Sequence, residues 1–406
     1  MAPCRHIRLL SAAVAAVALL VSGCSSDEYV APPSKVRSSD VADPAAASAT
    51  LAGLQRAVRA GETDTAASFG ADDGTDLLAA VTTNARRLRL GDVSFTYVTE
   101  TGQTSGAQRW SALVAVTWRL RGYDEASART EVPFSFADGG RSITAIGGSA
   151  DRLPLWLSGP LDVRRAQGAV VMTAGSGKTA RSYQRRVARA VVQTRRVLGG
   201  SGRLVVEVPG DEAGLERALD VDDGTYSAIA AITAPVDGSL TPRSPVHVFV
   251  NRAIYDNLDP VAAQVVMTHE ATHALTGASL ARGAPLWLVE GMADYVALRD
   301  VGLPTSTTAG QLIKQVRKQG APKDLPDDAE FDTAATHLGT VYEAAWQVTM
   351  TLADRGGEAA LIDFYRSVLR GTSRPGDELA QALKQYFDWS VADLTRAWRA
   401  RLADLA

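Results

Sequence analysis

Apolar side chains recur along this chain with two periods, and the period switches where the expected architecture switches. Leu51, Leu54 and Val58 share one helical face, and Leu77, Leu78, Val81, Ala85 and Leu88 share another. The period then falls to two. Val93, Phe95 and Tyr97 alternate with polar neighbours, and so do Trp110, Ala112, Val114, Val116, Trp118 and Leu120. Val132, Phe134 and Phe136 follow the same rule before Ala137-Asp138-Gly139-Gly140, a hairpin turn signal leading to Ile143 and Ile146. Two helices followed by an antiparallel sheet are predicted for this first half.

The second half mixes short strands with long helical patterns. Ala169–Thr173, Leu204–Val208 and Val246–Val250 are expected to be short strands. Tyr226–Ala234 alternates weakly and is expected as an edge strand. Arg181–Leu198 has helical spacing, with Tyr183, Val187, Val191 and Leu198 inward and Arg185, Arg189, Arg195 and Arg196 on a solvated face. No Pro or Gly interrupts Val261–Thr276, which is predicted to be a buried helix. Helices are then expected over Ala309–Lys318, Thr340–Arg355, Glu358–Arg370, Gly376–Phe387 and Val391–Leu402, the last opened by a capping box of Ser390 and Asp393. The fold class is α+β.

The N-terminal end is set apart from this pattern. Arg5, His6 and Arg8 precede an uncharged, mostly apolar run, Leu9–Val21. That run is shorter than the ~20 residues a membrane span needs, so residues 1–24 are expected to be an export signal. Val21-Ser22-Gly23-Cys24 resembles a bacterial lipobox, which implies cleavage before Cys24 and lipid on its thiol. The chain has two cysteines, Cys4 and Cys24, so the exported form is expected to carry no disulfide. Residues 25–44 are rich in Ser, Ala, Pro and Asp and read as a flexible linker. Two domains are expected beyond it, 45–157 and 159–406. Helices followed by an antiparallel sheet in the first resemble the NTF2-like cone, which implies a ligand pocket or a spacer. The net charge of -3 offers no basic footprint for nucleic acid.

The candidate chemistry lies in the second domain. The chain has five histidines, and two of them fall four residues apart in His269-Glu270-Ala271-Thr272-His273. Positions i and i+4 share a helix face, so both imidazoles can reach one metal ion with Glu270 beside them to carry a proton. Zinc suits neutral imidazole donors and keeps a position open for water.

Downstream, Trp287-Leu288-Val289-Glu290-Gly291-Met292-Ala293-Asp294-Tyr295 resembles the second-helix motif of the gluzincin metallopeptidases. That resemblance implies Glu290 as third zinc ligand, and strands followed by helices match the family's architecture. An Asp four residues on orients the first His in thermolysin-like members, which implies that role for Asp294 beside His269. The family often places a transition-state Tyr or His further along. Tyr342 and His337 are the two candidates for it, and the choice between them is open at this point. Peptide-bond hydrolysis by zinc-activated water, with Glu270 as general base, is what the resemblance implies.

No motif for gripping a substrate amino terminus is found, which leans toward an endopeptidase acting on peptides or proteins. A lipid-anchored enzyme on the outer face of the cell membrane is expected. A non-catalytic ligand-binding lipoprotein and a zinc hydrolase with a non-peptide substrate are the alternatives, and the intact Glu270 favours the enzyme. Gly175-Ser176-Gly177-Lys178-Thr179 imitates a phosphate-binding loop, but Met172 occupies the position of its first Gly, so no nucleotide is expected. His247 alternates within a strand and is expected to be structural.

Overall fold

Asp43 opens the first helix because its carboxylate accepts from the free amides of Ala45 and Ala46 at 2.9 and 3.0 Å, with Pro44 at the position that needs no N–H. The computed structural model describes residues 42–104, 109–148, 151–175, 177–332, 337–371 and 375–406. The export segment, Cys24 and most of the expected linker lie outside the described residues.

Helices α1 (Pro44–Ala60), α2 (Thr63–Ala67) and α3 (Gly74–Leu88) lead into strands β1 (Leu90–Thr104), β2 (Arg109–Leu120), β3 (Ala128–Ala137) and β4 (Ser142–Ile146). These four strands form one antiparallel sheet in sequence order. Register shifts in β1 near Gly91, Thr99 and Gly102 mark bulges, which bend a strand. The alternating residues of β2 and β3 are buried beneath α1 and α3 as the period-two pattern predicts, and Trp110 stacks on Phe136 at 5.0 Å.

The second sheet is mixed. Its strands are β5 (Asp162–Ala166) and β6 (Ala169–Thr173); then, after α4 (Gly177–Leu198), β7 (Leu204–Val208); then, after α5 (Glu212–Leu219), β8 (Ala231–Pro235) and β9 (Val246–Val250). The order is β5-β6-β7-β9-β8, with β6, β7 and β9 parallel and the two edge strands antiparallel. Every residue of β6 and β7 is buried, which is why apolar residues dominate both, with Thr173 and Glu207 the buried polar exceptions. One sheet face, with Val170, Met172, Val205 and Phe249, shares a core with the N-terminal helices and sheet. The other face, with Val171, Val206, Val248 and Val250, packs on helical residues including Tyr183, Val187, Met267 and Ala271.

The stretch around the expected 157/159 boundary is therefore interior: Leu155, Trp156 and Leu157 are buried. Asn84 reaches across to the carbonyls of Trp156 and Gly159 at 3.0 and 2.7 Å.

The remaining helices are α6 (Arg252–Tyr255), α7 (Pro260–Thr276), α8 (Leu286–Leu298), α9 (Thr305–Thr308), α10 (Gly310–Gln319), α11 (Leu338–Leu369), α12 (Pro375–Phe387) and α13 (Val391–Leu405). The two helices expected on either side of residue 357 are both present within α11 and meet at a break at Gly357, whose φ of 78° no helix interior adopts. The expected edge strand is displaced: β8 starts at Ala231, and the residues from Tyr226 form turns instead. Strand β5 and helix α5 have no counterpart in the sequence prediction. The sequence of β5, Asp-Val-Arg-Arg-Ala, is an edge strand with one strongly apolar side chain and no alternation to detect.

Candidate metal centre

Helix α7 is fixed at its start by Asp259, which accepts from the amides of Val261 and Ala262 at 2.8 and 3.0 Å. Its buried side is more polar than expected. Thr268 donates to Gln193 Oε1 at 2.8 Å, and Thr272 lies 3.4 Å from Thr194, so side-chain hydrogen bonds help seat α7 on α4. Val265, Val266, Ala274 and Leu275 are half-buried, while Ala271 is fully enclosed.

This seating points His269 and His273 to one side, with ring centroids 4.7 Å apart. Helix α8 brings Glu290 up to them. Its closeness to α11 depends on Gly291, where an added Cβ would run into the Ala345 carbonyl oxygen and the Thr349 hydroxyl. Glu290 Oε2 lies 3.0 Å from His269 Nε2 and 3.2 Å from His273 Nε2, and the two imidazole nitrogens are 3.0 Å apart. The other nitrogen of His269, Nδ1, lies 2.8 Å from Asp294 Oδ1.

The donor set fits a divalent ion. A tetrahedral zinc site with bonds of about 2.0–2.2 Å has ligand atoms roughly 3.3–3.5 Å apart, a few tenths of an ångström wider than this triangle. With Nδ1–H of His269 donated to Asp294, its Nε2 presents a lone pair to the carboxylate and the second ring. Electron-pair donors this close repel unless a proton or cation lies between them. Among the described residues, His269, His273 and Glu290 are the one group of this kind arranged to hold a metal.

The charges respond to burial and to one another. Burial pushes the His269 imidazole down, but Asp294 and Glu290 outweigh it and hold its pKa well above the usual value. Burial pushes Glu290 up, but the two imidazoles outweigh that and hold it well below the carboxylate range. Glu270 is different. Burial dominates and raises it, against the pull of the imidazoles and of the Thr233 hydroxyl, which donates to Oε2 at 2.7 Å.

The centre opens on a cleft of about 300 Å³ bounded by β8, α7, α8 and the segment between those helices. Ile229, Ile232, Leu286 and Val289 give it apolar walls. Tyr342 also lines it, with its ring centroid 6.0 Å from that of His269. Burial first, and then the carboxylates of Glu290, Glu270 and Asp294, raise the Tyr342 phenol far above its ordinary pKa, so it stays a neutral donor.

His337 is placed elsewhere. It is exposed at the start of α11 and lines a separate cavity with Leu312, Glu330 and Trp398, while residues 333–336 before it lie outside the described residues. The structure brings Tyr342 to the cleft and His337 to another cavity. Sequence reasoning missed Thr233, since a Thr in a strand carries no signal of what its hydroxyl will meet.

His247 is buried, with Nδ1 2.7 Å from Glu207 and Nε2 3.1 Å from Asp124. The Gly-Ser segment before α4 lacks the first glycine of a phosphate loop, and its residue 176 lies outside the described residues.

No protein-family model matches the chain, and no curated protein matches it. Among solved structures, a two-domain M1 zinc metallopeptidase, crystallised as a Glu-to-Ala mutant bound to L-arginine, is a distant structural neighbour. The TM-score is 0.35 at 13% identity, over 77% of this chain and 61% of that one. This chain therefore spans less than two thirds of that neighbour's length.

Proposed function

We propose that this protein is a zinc-dependent peptidase that cleaves internal peptide bonds. The observation that carries this is the triangle of His269 Nε2, His273 Nε2 and Glu290 Oε2, with the buried carboxylate of Glu270 beside it. A zinc ion held there would lower the pKa of a bound water and polarise a substrate carbonyl.

The chain's own residues supply the rest. Glu270, raised by its burial, takes the proton of the attacking water and returns it to the leaving nitrogen. Tyr342 donates its O–H to the oxygen on which negative charge develops. Asp294 holds His269 in the tautomer that presents Nε2. The free edge of β8 offers backbone groups to an extended peptide. The apolar walls favour apolar substrate side chains. Among the residues lining the cleft, the carboxylates are Glu270 and Glu290, both engaged in the chemistry, so none is left to grip a free amino terminus. This supports cleavage within a chain.

The N-terminal helices and sheet are proposed as an NTF2-like spacer. Export and tethering through Cys24 are proposed from the lipobox resemblance. Labelling with a fatty-acid probe tests that part, because a Cys24→Ala variant that still takes up label refutes it.

The test of the catalytic reading is Glu270→Gln, assayed on a mixed-sequence peptide pool with and without chelator. We expect cleavage by the parent, its loss with chelator, and a fall of several orders of magnitude in the variant with zinc retained. A variant as active as the parent removes Glu270 as the base.

A further inference from the structure

Strand β8 runs along α7 at the edge of the mixed sheet, and Thr233 sits at its centre, paired with Val248 of β9. The Thr233 hydroxyl has two acceptors within reach, both on the same residue: Glu270 Oε2 at 2.7 Å and the main-chain carbonyl of Glu270 at 3.1 Å. A hydroxyl has one proton to donate, so it serves one acceptor at a time. The ionised carboxylate is the stronger acceptor and also the nearer one. No side chain among the described residues donates to the other carboxylate oxygen, Oε1.

We infer that Thr233 is a positioning residue for Glu270: it pins Oε2, so that Oε1 is the atom presented to the attacking water. The inference rests on the reading of Glu270 as general base. The proton balance is simple. The water's proton passes to Oε1, and Thr233 keeps its own proton throughout. Once the carboxyl is neutral, Oε2 becomes a weaker acceptor, and the hydroxyl can turn its proton to the Glu270 carbonyl 3.1 Å away. When the carboxyl gives its proton to the leaving nitrogen, the hydroxyl returns to Oε2. The rotor thus stays bonded in both states of the base, and the ionised carboxylate is held at Oε2 when it takes the water's proton and again once it has given that proton up. Fixing a reacting group in this way acts on the chemical step and leaves substrate binding alone.

Two hydroxyl-free variants and one conservative variant test the assignment on the full chain. Thr233→Val keeps the volume and the β-branch that suit a strand, Thr233→Ala guards against misfolding of the first, and Thr233→Ser restores the hydroxyl. The substrate is one peptide that the parent cleaves, picked from a mixed-sequence pool.

Thr233→Val and Thr233→Ala are expected to lose roughly ten- to a hundredfold in kcat, with KM within about twofold and zinc content equal to the parent's. Thr233→Ser is expected within about threefold of the parent. A role confined to strand packing predicts the reverse order, with Val best tolerated. The inference is overturned if Thr233→Val or Thr233→Ala keeps the parent's kcat, if Thr233→Ser is as slow as the hydroxyl-free pair, or if the loss falls wholly on KM. An active Glu270→Gln variant, or a parent that cuts no peptide, instead defeats the underlying reading and takes this inference with it. An inactive Glu270→Gln beside a fully active Thr233→Val defeats the role of Thr233 alone.

Discussion

His269 turns its Nδ1 to Asp294 Oδ1 at 2.8 Å, and this one hydrogen bond decides which ring nitrogen faces Glu290 and His273. The imidazole can donate through one nitrogen only when neutral, so the nitrogen facing the centre is left as a lone-pair donor. Removing the carboxylate frees both the tautomer and the ring angle. Asp294→Ala is expected to weaken zinc binding by about 10–100-fold, as measured by competition with a chromogenic chelator. Affinity equal to the parent's would show that Asp294 does not orient the ligand.

Glu290 reaches the histidines because α8 lies close against α11, and that approach runs through Gly291. The Ala345 carbonyl is main chain and cannot swing aside. Gly291→Ala is expected to lower stability by about 1–3 kcal/mol, read as a lower Tm, and to weaken zinc binding as Glu290 is displaced. An unchanged Tm would mean that the two helices have room to spare.

Tyr342 and His337 are expected to separate in an activity assay. Tyr342→Phe removes a donor facing the cleft and is expected to lower kcat by roughly 10²–10³-fold with little change in KM. His337→Ala touches a different cavity and is expected to leave kcat within about twofold. Equal losses in the two variants would contradict the placement of both residues.

His247 sets a pH dependence of stability away from the metal. Burial pushes its imidazole down, but Asp124 and Glu207 outweigh that and raise its pKa from 6.5 to about 9. A pKa raised by folding means that the native state holds the proton more tightly than the unfolded chain does. The resulting stabilisation is complete below pH 6.5 and disappears as pH climbs through about 9. Its size is on the order of a few kcal/mol. Urea unfolding at pH 6, 8 and 10 is expected to show this decline in the parent and a flatter profile in His247→Gln. Parallel profiles would mean that the buried ring is not charged.

Residues with one dominant pattern were legible in the sequence. β6, β7 and β9 have the expected limits, because nearly every position in a central strand is buried and apolar residues dominate each run. The spacing of His269 and His273 and the acid in Trp287-Leu288-Val289-Glu290 foretold a convergence that the geometry displays. What stayed hidden was relational. β5 carries too few apolar side chains to alternate, and α5 is a short helix whose buried residues lie among charged ones. The polar face of α7, with Gln264, Thr268 and Thr272, is visible only when α4 supplies the partners. The sequence does not separate the positions of Tyr342 and His337, because neither residue announces which cavity it lines.

The most direct measurement is the zinc content of the purified chain beside that of Glu290→Ala, by inductively coupled plasma mass spectrometry after dialysis. The account predicts about one zinc per parent chain and little in the variant, since two imidazoles alone bind the ion weakly. Equal zinc in both chains, or none in the parent after zinc is supplied, would contradict it.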